Sequence, residues 1–130
     1  MNGKILITGG AGCLGSNLIE HYFPQGFAIK VIDNFATGKK EVVPEQDRLS
    51  VIEGSIEDSF LVEKTFTDFQ PDYVIHSAAS YQDPSDWAED TKTNILGTTN
   101  IVKASEKHGV KRLINFQTAL CYGRPKIVPI

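Results

Sequence analysis

Short, continuously apolar runs rich in isoleucine and valine recur along the chain, and longer stretches of helical period separate them. The runs are Lys4-Ile5-Leu6-Ile7-Thr8, Phe27 to Ile32, Leu49 to Glu53, Tyr73-Val74-Ile75-His76 and Arg112 to Phe116. Such runs are expected of strands buried on both faces of a sheet. Between them, Leu14, Leu18 and Ile19 share one helical face, and Pro24 with Gly26 closes that helix. Ser55-Ile56-Glu57-Asp58 reads as a capping signal before Phe60, Leu61, Val62 and Phe66, with Pro71 beyond the end. Asp83 ahead of Pro84 opens a further helix that carries Trp87, Ile95, Ile101 and Val102 and stops at Gly109. Asn34 to Asp47 is polar, with Gly38 and Pro44, and reads as a loop with one helical turn. Five β units alternating with helices predict an α/β fold, a doubly wound parallel sheet with right-handed crossovers.

Composition narrows the class of protein. The 130 residues are 41% hydrophobic and 22% charged, enough to bury a core. Thirteen basic against sixteen acidic residues give a net charge of −3, which argues against a nucleic-acid partner. No apolar run approaches the roughly 18 residues of a membrane span, and Met1-Asn2-Gly3-Lys4 does not open a signal peptide. Cys13 and Cys121 have no metal-ligand spacing, so no metal site is expected. These bounds describe a soluble, cytoplasmic protein with one domain over residues 1–130. After Tyr122 two prolines interrupt a stretch without period, so the chain is expected to be part of a longer protein.

The richest local signal is Thr8-Gly9-Gly10-Ala11-Gly12-Cys13-Leu14-Gly15, between the first strand and the first helix. Gly10, Gly12 and Gly15 fit a GxGxxG spacing, and Gly9, Gly12 and Gly15 fit GxxGxxG. Either pattern permits a tight turn, close approach of backbone to a pyrophosphate, and tight packing of helix on strand. The helix then presents its amides and positive dipole end to the phosphates. Asp33 ends the second strand 18 residues beyond Gly15, where an acid accepts hydrogen bonds from ribose hydroxyls and repels a 2′-phosphate. The two halves together indicate dinucleotide binding and favour NAD, with Lys39 and Lys40 nearby. In a Rossmann-like sheet of order 3-2-1-4-5 the ligand sits where the first and fourth strands diverge. His76-Ser77-Ala78-Ala79-Ser80 leaves the fourth strand there, and its small residues suit either a cofactor or close strand–helix packing.

Several phrases, taken in order, resemble one family: the extended short-chain dehydrogenases/reductases that act as NAD-dependent nucleotide-sugar epimerases and dehydratases. They are the glycine loop, Asp33-Asn34-Phe35-Ala36-Thr37-Gly38, His76-Ser77-Ala78-Ala79, Asn94-Ile95-Leu96-Gly97-Thr98 and Thr118-Ala119-Leu120-Cys121-Tyr122-Gly123. The resemblance implies that Gly9, Gly12, Cys13, Leu14 and Gly15 carry the pyrophosphate, and Asp33 and Asn34 the adenosine ribose. Thr37 and Gly38 join them. Ala78, Ala79 and Ser80 would line the nicotinamide side, with Asn94 facing the cofactor from its helix. Where the family has an aspartate at the adenine, this chain has Ser55, followed by Ile56. Thr118 falls where the family's Ser or Thr bonds the reacting sugar hydroxyl, which makes it the one catalytic candidate.

The dehydratases of that family follow this residue with a carboxylate. Ala119 and Leu120 stand there instead, so epimerase or reductase is the better reading; the leading expectation is an epimerase, with a sugar reductase or dehydrogenase, or a non-catalytic dinucleotide sensor, as alternatives. The implied partners are a nucleotide sugar and a second copy in a homodimer. The family's base is a Tyr-x-x-x-Lys pair on a helix. Tyr122 and Lys126 have the spacing, but Gly123 and Pro125 between them are incompatible with a helix. The working pair and the substrate-binding part are therefore expected beyond residue 130. Among the histidines, His21 is expected on a solvated face and His108 at a helix C-terminus. His76 lies near the cleft with no carboxylate or cysteine spaced to partner it.

Overall fold

The computed structural model describes residues 2–44, 46–83 and 85–118. Five parallel strands form one sheet in the order β3-β2-β1-β4-β5. They are β1 (Lys4–Thr8), β2 (Ala28–Asp33), β3 (Leu49–Glu53), β4 (Tyr73–His76) and β5 (Arg112–Asn115). The crossovers carry α1 (Cys13–Tyr22), α2 (Ser59–Phe69), and the run α3 (Trp87–Asp90) and α4 (Thr98–Lys107) joined by a π-helical stretch, Thr91–Gly97. Thr8 lies level with both Ile32 and His76, so β1 and β4 end on one line and β2 runs one residue further, to Asp33. The predicted fold class and strand order are those observed.

Side chains alternate across the sheet, and each face has its own core. Ile5, Ile7, Ile29, Val31 and Ile75 pack under α1 through Ile19. Leu6, Ile32 and Val74 pack on the other face against Val62 and Phe66 of α2 and Ile101 and Ala104 of α4. At the rear edge Asp72 spans two strand starts. Its carboxylate accepts the Lys4 amide at 2.9 Å and pairs with Lys111 at 2.7 Å.

Five local expectations need correction. α2 is capped by Asp58, whose Oδ1 accepts the Phe60 and Leu61 amides, because Asp58 directly precedes the first helical residue. Ser55 instead stays in the loop, where its hydroxyl accepts the Glu57 amide. The next helix starts at Trp87 under an Asp86 cap, whereas Asp83 closes a tight turn on Ser85. Trp87, Ile95 and Val102 are exposed, because the π-helical stretch changes the phase of the apolar positions and only Ile101 and Ala104 reach the core. Leu14 is also exposed, turned toward the strand ends rather than sharing the face of Ile19. β5 is largely exposed, not buried on both faces, since among the described residues it pairs only with β4.

Burial separates two phenylalanines on the same helix. Phe66 is 0% exposed and Phe60 77%. Phe66→Ala is expected to cost about 3–5 kcal/mol through lost transfer energy and a residual cavity. Phe60→Ala should change stability by less than about 0.5 kcal/mol. Urea unfolding of the two variants checks the contrast.

Candidate functional site

The sheet's C-terminal edge carries an open cleft of about 470 Å³. Its floor is the glycine loop, which passes between neighbouring main chains without room for side chains. A Cβ on Gly9 would stand 2.8 Å from the Ala78 nitrogen, and φ there is +69°. On Gly15 it would meet the Gly10 Cα and the Gly9 carbonyl oxygen, and on Gly10 the Val31 side chain at 2.5 Å. Gly12 differs: its nearest neighbour would be the Gly9 oxygen at 3.3 Å, and its backbone is extended as the N-cap of α1. No side chain caps that helix, so its first amides face the cleft without a side-chain acceptor.

Asp33, buried at the end of β2, ties this loop down. Its Oδ2 accepts the Ala11 amide and its Oδ1 the Phe35 amide, each at 2.8 Å. Each oxygen retains further acceptor capacity, and the residue also lines the cleft. Phe35 adopts a left-handed conformation at φ 56°, the backbone cost of turning sharply after Asp33. Gly38 lies flat on Ala11, where a Cβ would come within 2.7 Å, and the Lys39 amide donates to the Ala11 carbonyl.

The opposite wall is the segment leaving β4. The Ser77 hydroxyl donates to the Thr8 carbonyl at 2.7 Å, and the Ala78 amide donates to Thr8 Oγ1 at 3.3 Å. Asn94 grips the same segment: its Oδ1 accepts the Ser80 amide and its Nδ2 donates to the Ser80 carbonyl. The third wall, after β3, is held from behind by Asn100, whose Nδ2 donates to the Ile56 and Glu57 carbonyls.

Twelve of the residues singled out in the sequence border one cleft. Gly9, Gly12, Cys13 and Leu14 come from the glycine loop, and Asp33, Asn34 and Thr37 from the end of β2. Ser55 and Ile56 follow β3, and Ala78, Ala79 and Ser80 follow β4. Gly15, Gly38 and Asn94 stand behind the lining and shape it through packing and hydrogen bonds. Thr118 lies exposed beyond β5 and outside the lining. Ala119, Leu120, Cys121, Tyr122 and Lys126 lie outside the described residues.

Sequence reasoning missed one end of the cleft, where Tyr81, Gln82, Asp83, Asp86, Glu89 and Thr93 contribute. The run of acids from Asp83 to Asp90 is plain in the sequence, but its place at the strand ends is seen only in the fold. His76 was set aside for want of a charged partner, yet it is buried between two threonine hydroxyls. Burial pushes its pKa down to about 4, so the imidazole is neutral at physiological pH. Among the described residues no group of three or more His, Cys, Asp or Glu could hold a metal ion. Nor is any helix there long and apolar enough to cross a membrane.

Residues 5–130 match the sequence profile of the NAD dependent epimerase/dehydratase family. The chain belongs to that family. Within the family, UDP-glucose 4-epimerase of Corynebacterium glutamicum is 36% identical over 133 residues, covering 98% of this chain and 38% of the relative. The crystal structure of the Bordetella bronchiseptica enzyme WbmG in complex with NAD and UDP is 67% identical, with a TM-score of 0.94. That match covers 97% of this chain and 41% of WbmG. The WbmH enzyme of the same organism, in complex with NAD+, is 46% identical with a TM-score of 0.95, covering 98% of this chain and 43% of WbmH. The chain thus spans about two fifths of the length of these members of the epimerase/dehydratase family.

The neutral state of His76 has a consequence for stability. Its folded pKa lies below the unfolded value near 6.5, so the unfolded chain binds the extra proton between those values. The contribution is complete above pH 6.5 and falls away as the pH drops toward about 4. Between pH 7 and pH 4.5 the native protein should lose about 2–3 kcal/mol more than a His76→Asn variant. Urea unfolding of both proteins at the two pH values measures the difference.

Proposed function

We propose that this chain is the dinucleotide-binding part of an NAD-dependent nucleotide-sugar epimerase, which inverts a sugar carbon through a transient ketone. The observation that carries the reading is the pairing of an uncapped helix start on a glycine floor with the buried Asp33 carboxylate beside it. A dinucleotide matches that arrangement. The glycines let the loop and the start of α1 pack against neighbouring backbone, which brings the α1 amides to the cleft for a pyrophosphate, and Asp33 keeps acceptor capacity for ribose hydroxyls. When bound, NAD supplies reversible hydride acceptance from a ring alcohol, the chemistry no side chain here can perform.

The chain's own residues bind and orient. Backbone at Gly9, Gly12, Cys13 and Leu14 receives the pyrophosphate, with Gly15 holding α1 close. Asp33 and Asn34, supported by Thr37 and Gly38, hold the adenosine ribose, and Ser55 and Ile56 border the adenine. Ala78, Ala79 and Ser80 face the nicotinamide, their segment held by Asn94. Thr118 donates or accepts a hydrogen bond at the reacting sugar hydroxyl. The Tyr-x-x-x-Lys base and most sugar contacts belong to other parts of the whole protein. The complex of WbmG with UDP favours a uridine nucleotide on the sugar. The whole protein is a cytoplasmic homodimer in this reading, and the exposed Ile95, Leu96 and Val102 support an apolar contact.

The test is interconversion of UDP-sugars by the whole protein with NAD only in catalytic amount. Epimers should form without net NADH, and deuterium at the inverted carbon should be retained. Stoichiometric consumption of reduced cofactor would replace epimerase with reductase. Thr118→Ala should lower kcat by roughly one to two orders of magnitude while NAD affinity holds, and Thr118→Ser should restore most of it. Steady-state kinetics with parallel NAD titrations separate the two effects.

A further inference from the structure

His76 is 2% exposed, at the last position of β4 and directly beneath the cleft. Its Nδ1 lies 2.6 Å from Thr8 Oγ1 and its Nε2 2.9 Å from Thr98 Oγ1. Thr8 is itself fully buried, and its hydroxyl oxygen also accepts the Ala78 amide. One chain of hydrogen bonds therefore runs from α4 through His76 and Thr8 to the main chain of the cleft wall. An apolar residue would satisfy packing at position 76. A buried imidazole is costly unless both nitrogens are paired, and here both are.

Proton counting fixes the direction of this chain. A neutral imidazole has one donor and one acceptor nitrogen. Thr8 Oγ1 already accepts from Ala78, and among the described residues Nδ1 is the one acceptor its own proton reaches. The Thr8 hydroxyl must then donate to Nδ1, which leaves the proton of His76 on Nε2, donated to Thr98 Oγ1. The opposite tautomer would strand the buried Thr8 proton without an acceptor.

We propose that His76 is a positioning residue for the cofactor cleft: as the Nε2–H tautomer it orients the Thr8 hydroxyl, which holds the Ala78 amide and the segment to Ser80 in place. The inference rests on the cofactor reading given above and deepens it, because Ala78 to Ser80 form the wall assigned to the nicotinamide side.

Two substitutions divide the imidazole between them. In His76→Asn the side-chain amide falls near the former Nδ1 and can still accept from Thr8. In His76→Gln it falls near the former Nε2, keeps Thr98 and abandons Thr8. Both leave a smaller, polar side chain in the core, so both should lower the urea midpoint. NAD affinity of the whole protein, read by titration calorimetry, should separate them. His76→Gln is expected to weaken NAD by roughly ten-fold, as should Thr8→Val, whereas His76→Asn stays within about three-fold of the parent.

Equal losses in the Asn and Gln variants, or none in either, would overturn the positioning role. If the variants do not fold, the parent protein decides through the long-range proton–nitrogen NMR spectrum of its histidines. A proton on Nε2 with an unprotonated Nδ1 supports the assignment, and a proton on Nδ1 overturns it. A parent protein that binds no NAD at all would overturn the proposed function and the positioning role together. A lost Asn–Gln contrast in a protein that does bind NAD removes the positioning role alone.

Discussion

Main chain touches main chain where Gly9 meets Ala78 and where Gly15 meets Gly10, and the rest of the cleft depends on that contact. A single added carbon at either place would meet backbone, which cannot rotate away as a side chain can. The contact brings the ends of β1 and β4 together and seats α1 almost on the strand that precedes it. The start of α1 is thereby aimed into the crevice between diverging strands. The geometry that makes the glycines obligatory is the same geometry that leaves the first amides of α1 facing the cleft.

Around this main-chain contact the structure places polar ties to the cleft loops. Asp33 links β2 to the glycine loop, Asn94 holds Ser80, Asn100 holds the loop after β3, and His76 joins Thr8 to Thr98. Three of these residues, Asn94, Thr98 and Asn100, come from one stretch of helix. That stretch lies over Leu6, Ile32 and Val74 through Ile101, so the core that stabilises the sheet also places the ties. Asn94 is exposed, while Asp33, Asn100 and His76 are buried or half-buried, and such polar groups contribute little net stability. Their cost when unpaired makes them selective for one arrangement of the backbone.

Membership of the epimerase/dehydratase family fits this division of labour. The elements seen here hold the floor and walls of an open cleft at the C-terminal edge of a parallel sheet, the usual place for a ligand in such folds. Its lining mixes small, hydroxylic and acidic side chains with the apolar Leu14, Ile32 and Ile56, and among the described residues none is a strong nucleophile paired with a base. Such a lining suits binding and orienting a ligand.

The fold was legible in the sequence because five β-branched runs and the helical stretches between them leave few ways to bury their apolar surface. The glycine spacing and Asp33 were legible for a related reason: only certain residue types fit positions where backbone meets backbone or an amide needs a buried acceptor. Positions whose role depends on distant partners were opaque. Nothing local marks His76 as the link between Thr8 and Thr98, or brings Asp83, Asp86 and Glu89 to the cleft. The cap of α2 falls to Asp58 over Ser55 and that of α3 to Asp86 over Asp83, and the π-helical stretch leaves Ile95 exposed. Those choices turn on differences of about one hydrogen bond, which packing between remote segments settles and local sequence does not.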